Sequence, residues 1–308
     1  MIAVVCPGQG SQTPGFFTPW LEIPEFKNVI DSMSNVSGID LVAHGTVSDA
    51  DTIRDTAVAQ PLIVSASVAS LNAITGGKSA KDAGIHGVAG HSVGEIAAAV
   101  IAGVFTKDQG ISFVKERGLA MASAAALEST SMAAVLGGEQ SEVESVLAGL
   151  DLEPANYNGS GQIVAAGSAA AIAELQATPP AGSRVIPLQV AGAFHTRFMK
   201  PAVSRLEAFT ASLSVSDAKI TLWSNSKGNT VQSGAEYLSS LISQVSSSVR
   251  WDLCMQAMQQ AGVTAIIELS PAGTLAGLAK RGMAGVEILA VKTPENLEAA
   301  RTLISNHQ

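Results

Sequence analysis

Short apolar runs alternate with helix-period stretches along most of the chain. Ile2–Cys6 is uniformly apolar and stops at Pro7-Gly8, the pattern of a buried strand followed by a turn. Pro61–Ile74 is apolar and of helix length. Ile85–Gly90 reads as a second short strand, and after it Val93, Ile96, Ala97, Val100, Ile101 and Val104 recur on one helical face. Thr106 and Gln109 have the spacing of a capping box, which predicts a helix over roughly 107–126. Further strands are expected at Ile220–Ser224, Ala265–Leu269 and Val286–Val291. Ser270-Pro271 and Thr293-Pro294 each look like an N-cap followed by proline at the first helical position. Strands alternating with helices imply an α/β fold, a parallel sheet covered by helices.

The middle of the chain has another rhythm. Strands are expected at Ser131–Leu136, near Glu153–Tyr157, at Gln162–Ala166 and at Arg184–Val190, with helices at Ser141–Leu150 and Ser168–Gln176. That is a βαββαβ unit, the ferredoxin-like pattern. It spans 127–191 and is expected as an insertion in a larger α/β domain made of 1–126 and 192–308. The serine-rich run Ser243–Ser248 reads as a loop.

Composition narrows the function classes. The chain has 308 residues, of which 47% are hydrophobic and 14% charged, enough for a sizeable core and too apolar for a disordered chain. Its formal net charge of −8 disfavours nonspecific nucleic-acid binding, which needs a basic surface. Two cysteines, Cys6 and Cys254, make no disulfide framework, and Cys6 at the end of an apolar run reads as a buried thiol. No apolar run of about 20 residues lacks charges and breakers, and the N-terminus lacks the regions of a signal peptide, so a cytoplasmic protein without a membrane partner is expected. With no H-E-x-x-H, no close cysteine pair and no G-x-x-x-x-G-K-[ST], neither a metal nor a cofactor is expected.

Gly90-His91-Ser92-Val93-Gly94-Glu95 has the G-x-S-x-G form between a short strand and an amphipathic helix, the context of a nucleophile elbow. The helix N-terminus would bring free N–H groups to the serine, with Val93 N–H as first oxyanion donor. The competing reading is a glycine-rich turn with an ordinary N-cap serine. Glu95 reads as a first-turn helix charge. A nucleophilic serine needs a base. His91, next to Ser92, is expected to point away and pack locally; His44 is expected in a polar loop and His307 in the tail. His195, after a strand and the small-residue turn Ala191-Gly192-Ala193, can be delivered to another strand's end, while His86 remains open as an alternative.

These segments together resemble the malonyl-CoA:acyl carrier protein transacylases. The resemblance rests on Pro7-Gly8-Gln9-Gly10-Ser11-Gln12, Gly90–Glu95, Arg117, Asn156-Tyr157-Asn158 with Gln162-Ile163-Val164, Phe194-His195, Val249-Arg250-Trp251, and Glu268–Leu275 with Lys280-Arg281. It implies a hydrolase-like core with a ferredoxin-like subdomain and a site in the cleft between them. It implies Ser92 as the acylated nucleophile, His195 as its base and acid, and Arg117 as the clamp for the malonyl carboxylate. Gln9 and the Val93 N–H match the oxyanion donors, and the main-chain carbonyl of Gln244 matches the group that orients the histidine. Phe194 matches the position that accompanies malonyl selectivity. The implied partners are malonyl-CoA and a phosphopantetheinylated, acidic acyl carrier protein; Arg197, Lys200, Lys227, Arg250, Lys280 and Arg281 are candidate docking charges. Ser248 and Ser160-Gly161 stand where the family often has proline.

Arginine suits a carboxylate because its planar fork donates two hydrogen bonds at once. Without the resemblance, Arg117 reads first as a surface helix residue paired with Glu116 or a nearby acid. Two other classes share the motif: a serine esterase or thioesterase with a carboxylate third member, and a carrier-docking module without activity.

Overall fold

The computed structural model describes residues 1–307 and contains two five-stranded sheets. The strands are β1 Ile2–Cys6, β2 Gly87–Gly90, β3 Thr130–Gly137, β4 Glu153–Gly159, β5 Gln162–Ser168, β6 Ser183–Pro187, β7 Thr221–Leu222, β8 Val249–Arg250, β9 Ala265–Glu268 and β10 Glu287–Ala290. The first sheet runs β10-β9-β1-β2-β7 and is parallel throughout. Every residue of β1, β2 and β9 is buried, as continuous apolar runs in a helix-covered parallel sheet require. The second sheet runs β6-β3-β5-β4-β8, with antiparallel neighbours except the short parallel pair β4–β8. Its own core joins Ala133, Val135, Val143, Leu147, Ile163, Ile172 and Leu175. β8 comes from outside 127–191 and stitches the second sheet to the rest of the chain.

The apolar stretch expected at Pro61–Ile74 starts earlier. Asp55 caps it through Ala57 N, and the helix runs over Thr56–Thr75 to an αL Gly76. It is 20 residues long and free of charge, so by length and composition it could cross a membrane, contrary to the sequence expectation. In this fold 83% of its most apolar window is buried inside the protein. Each aliphatic side chain such as Leu62 or Ile63 buried there contributes about 1.5–3 kcal/mol, which makes it the central core helix. Beside it lies Lys107–Ala125, whose first turn carries the reciprocal Thr106–Gln109 capping box.

Several expected boundaries shift. The Arg184–Val190 strand ends at Pro187, and Leu188 and Val190 turn into a cavity wall. β7 keeps only two of the residues expected at Ile220–Ser224, with Trp223 bridging to Thr230. His44 lies in a helix, Leu41–Thr46, rather than a polar loop. Gln244 ends the helix Gly234–Gln244, so only the rest of the serine run is turn. Ser270-Pro271 does not open a helix. The next helix is Thr274–Gly282, and the buried Glu268 carboxylate at the end of β9 accepts its free N–H groups: Gly273 at 2.7 Å, Leu275 at 2.9 Å and Ala276 at 2.8 Å. Thr293 does cap the turn beginning at Pro294.

Candidate active site

β2 and the helix Gly94–Ala102 meet at a turn that only glycine allows. A Cβ on Gly90 would lie 2.0 Å from the Gly94 carbonyl carbon, and one on Gly94 would lie 2.2 Å from the Cys6 oxygen. The turn holds Ser92 at a φ of 52°, a left-handed conformation that a serine adopts only when its surroundings enforce it. Asn225 supplies part of that enforcement: its Oδ1 accepts the Ser92 N–H at 2.8 Å and its Nδ2 donates to Gly90 O at 2.8 Å. The Val93 N–H has no protein acceptor among the described residues.

The Ser92 hydroxyl is 2.7 Å from His195 Nε2, and His195 Nδ1 is 2.8 Å from the Gln244 main-chain oxygen. A carbonyl only accepts, so Nδ1 carries the proton and Nε2 offers its lone pair to the serine. His195 itself has a φ of 63° and is buried. Burial first, and the Arg117 charge second, push its pKa down to about 3, so the ring is neutral at any physiological pH. His86 is elsewhere; its Nδ1 accepts from Ile2 N at 3.2 Å.

Arg117 is buried on the Lys107–Ala125 helix. Its guanidinium donates to Gln60 Oε1 at 2.6 Å and to Gln244 Oε1 at 2.8 Å. Glu116 faces the other way and pairs with Arg205. No ion pair among the described residues includes Arg117. Burial draws its pKa down to about 10, opposed by the charge of Glu95.

Ser92, Val93, Arg117, Phe194, His195 and Gln9 all line one cavity of about 200 Å³. It opens over the carboxyl ends of β1, β2 and β9, where connections leave the sheet in opposite directions, the usual ligand position in open α/β sheets. The second sheet closes its far side with Met132, Ala134, Asn156, Asn158 and Val164. His91 packs edge-on to Trp251, as expected of a packing residue, yet its ring also forms cavity wall and meets Asn158 Oδ1 at 2.9 Å.

A family description, acyl transferase domain, matches residues 3–302. The malonyl CoA-acyl carrier protein transacylase of Mycobacterium tuberculosis is 47% identical over 308 residues, covering 98% of this chain and 100% of that protein. The chain belongs to the malonyl-CoA:acyl carrier protein transacylase family. The crystal structure of MCAT from Mycobacterium tuberculosis superposes with a TM-score of 0.93, covering 98% of this chain and 99% of that one. A type II PKS acyl-carrier protein in complex with its malonyl-transacylase gives a second match, at TM-score 0.90, 27% identity and coverage of 98% and 99%.

Measured against the roles that the transacylase family implies, the geometry differs for Gln9. Its Nε2 faces Arg54 O and Thr56 Oγ1, each at 3.4 Å, rather than the elbow. Gln244 does more than its main chain suggests. Its side-chain nitrogen donates to Glu95 Oε2 and, at 3.2 Å, to Ser92 O. Of the docking candidates, Arg197 is bound to Asp151 and Glu153, and Arg250 to Asp252. Ser248, standing where proline is frequent, uses its hydroxyl to bind Pro154 O at 2.6 Å. Sequence reasoning missed Gln60 and Asn225 and gave Glu95 only a helix charge. Asn225 had a usable signal, a polar residue just past a strand end beside the elbow.

Proposed function

We propose that this chain takes malonyl from malonyl-CoA onto Ser92 and passes it to the phosphopantetheine thiol of acyl carrier protein, supplying malonyl units for fatty acid synthesis. One observation carries the substrate class: Arg117 is a buried cation that forms no ion pair among the described residues, in the same cavity as the Ser92–His195 pair. A buried charge is costly unless it is paired, and a carboxylate-bearing acyl group supplies the pair.

Ser92 Oγ attacks the thioester carbonyl while its proton passes to His195 Nε2. The oxyanion is held by the Val93 N–H. Gln9 joins it as a second donor by turning out of its two long contacts. Collapse breaks the C–S bond, and the departing thiolate takes the proton from His195. The carrier thiol then gives its proton to the same nitrogen and attacks the malonyl-serine; as the C–O bond breaks, Ser92 Oγ takes that proton back from His195. His195 is oriented by a carbonyl, and Glu95, the acid nearest this network, holds Asn225 and Gln244 instead, so the esterase triad finds no support. On this reading the core, 1–126 and 192–308, is hydrolase-like and the subdomain 127–191 is ferredoxin-like; the antiparallel order β6-β3-β5-β4 supports the latter. The setting is the cytoplasm, with neither nucleic acid nor membrane as partner.

Arg117→Ala tests the substrate class. Truncating one partner of a buried ion pair costs about 2–5 kcal/mol, so malonyl transfer should fall steeply while acetyl transfer falls little. Arg117→Lys should recover only part, because an ammonium cannot reproduce the fork. A malonyl-to-acetyl acylation ratio in Arg117→Ala equal to the wild-type ratio would exclude the clamp.

Phe194, nearly buried and on the cavity wall, fills space beside His195. Phe194→Ser should raise methylmalonyl relative to malonyl transfer by about 10–200-fold, the value of roughly one methyl in a pocket. Competition between the two coenzyme A esters, read as acyl-enzyme masses, measures this. An unchanged ratio with retained activity would make Phe194 a packing residue only.

A further inference from the structure

Between Arg117 and the elbow lies a carboxylate that the transfer steps do not use. Glu95, in the first turn of the Gly94–Ala102 helix, is 1% exposed. One oxygen accepts the Asn225 N–H at 2.7 Å, and the other accepts Gln244 Nε2. The opposite end of that same amide, Oε1, accepts from Arg117 at 2.8 Å. An amide has one accepting end and one donating end, so its orientation decides what Arg117 meets. Turned the other way, it would point an NH₂ group at a guanidinium. A carboxylate can only accept, and it therefore holds the amide nitrogen on its own side.

We infer that Glu95 is a positioning residue for malonyl selectivity: its carboxylate fixes the Gln244 side-chain amide with the oxygen toward Arg117. The inference rests on the malonyl-transfer reading of the site. Both acceptors on Arg117, Gln60 and Gln244, are neutral. They orient the fork and leave its charge for the substrate.

Glu95 is also placed to change state. Burial pushes its pKa up to about 7, against the opposing pull of its hydrogen bonds and of Arg117. The groups around it are few. Arg117 faces it from the Lys107–Ala125 helix, Tyr237 from Gly234–Gln244 and Cys254 from Trp251–Gln260. Burial holds the phenol and the thiol neutral. On the side away from Ser92, Glu95 and Gln244 border a second cavity of about 440 Å³, shared with Tyr157 and Arg250, the latter bound to Asp252. That cavity gives the carboxylate a path for proton exchange. Above a pH of about 7 the carboxylate is ionised and the amide is locked. Below it, a protonated Glu95 can donate, and the lock is lost.

The experiment compares malonyl- and acetyl-CoA as acyl donors for wild type and Glu95→Gln across about pH 5.5 to about pH 8.5, a window in which carboxylates with ordinary pKa values stay ionised. The glutamine keeps the shape and an acceptor for Asn225, but it can also donate to Gln244. In wild type the malonyl-to-acetyl ratio of kcat/KM should fall as pH drops through about 7. In Glu95→Gln it should be about 10-fold or more below the wild-type value at the alkaline end, the effect of one hydrogen bond to a charged group, and independent of pH. A merely structural role would lower both esters in proportion and leave the ratio unmoved, which overturns the inference. A pH-independent wild-type ratio overturns it too, and that arm needs no variant to fold. If wild type shows no preference for malonyl at all, the transfer reading itself has failed, which is a separate outcome.

Discussion

Ser92→Ala is expected to end acyl-enzyme formation, with a loss of about 10⁴-fold or more in transfer, because no step can start without the nucleophile. The elbow should survive the change. Ser92 is pinned by its backbone, through Asn225 Oδ1, and among the described residues its hydroxyl bonds only to His195. Alanine tolerates the φ of 52° no worse than serine does, since both carry a Cβ. The measurement is coenzyme A release in a single turnover, with circular dichroism to verify folding. Residual burst release, or a malonyl adduct on another residue, would remove Ser92 from its role.

His195→Ala should slow both half-reactions by about 10²–10⁴-fold, the usual contribution of a general base, without preventing malonyl-CoA from binding. The same nitrogen serves twice, so acylation by coenzyme A esters and discharge by the carrier thiol should fall together. Burial and Arg117 depress the His195 pKa to about 3, which fixes the sign of a second test. The base form then persists throughout the ordinary histidine range. With acetyl-CoA, which does not engage Arg117, the wild-type acylation rate should show no inflection near the unperturbed histidine pKa of about 6.5. Stopped-flow acylation measures it. An unchanged acylation rate in His195→Ala would shift the search for the base to His91, which shares the cavity wall.

Much of this was legible in the chain because the signals were local. Ile2–Cys6, the capped helix at Thr106 and the six middle elements follow from periodicity and caps. Ser92 was legible because an elbow needs glycines at fixed offsets, and the structure supplies the clashes that demand them. Ser270-Pro271 misled because helix N-termini can be capped from afar; the acceptor is Glu268, on the preceding strand. β8 was invisible because two residues carry no period. The deeper gap is the polar network. Gln60, Glu95, Asn225 and Gln244 lie far apart in sequence and meet around Arg117 only when four helices and the end of β7 pack, so no window contains them. Glu95 looked like an ordinary first-turn charge, favourable to the helix dipole, and only its burial shows a second use. The Gln9 amide, turned toward Arg54 and Thr56, is a side-chain orientation that spacing cannot encode.

Transfer through a serine ester to a thiol, rather than to water, is what separates the proposed activity from hydrolysis. Its most direct test is intact-mass analysis of the wild-type protein after malonyl-CoA, followed by removal of coenzyme A and division of the sample. One half receives phosphopantetheinylated carrier protein and the other buffer alone. A single malonyl adduct on Ser92 is expected to survive in buffer and to move to the carrier within the first mixing time. An adduct lost equally fast in both halves would make the protein a thioesterase and rule out the transferase.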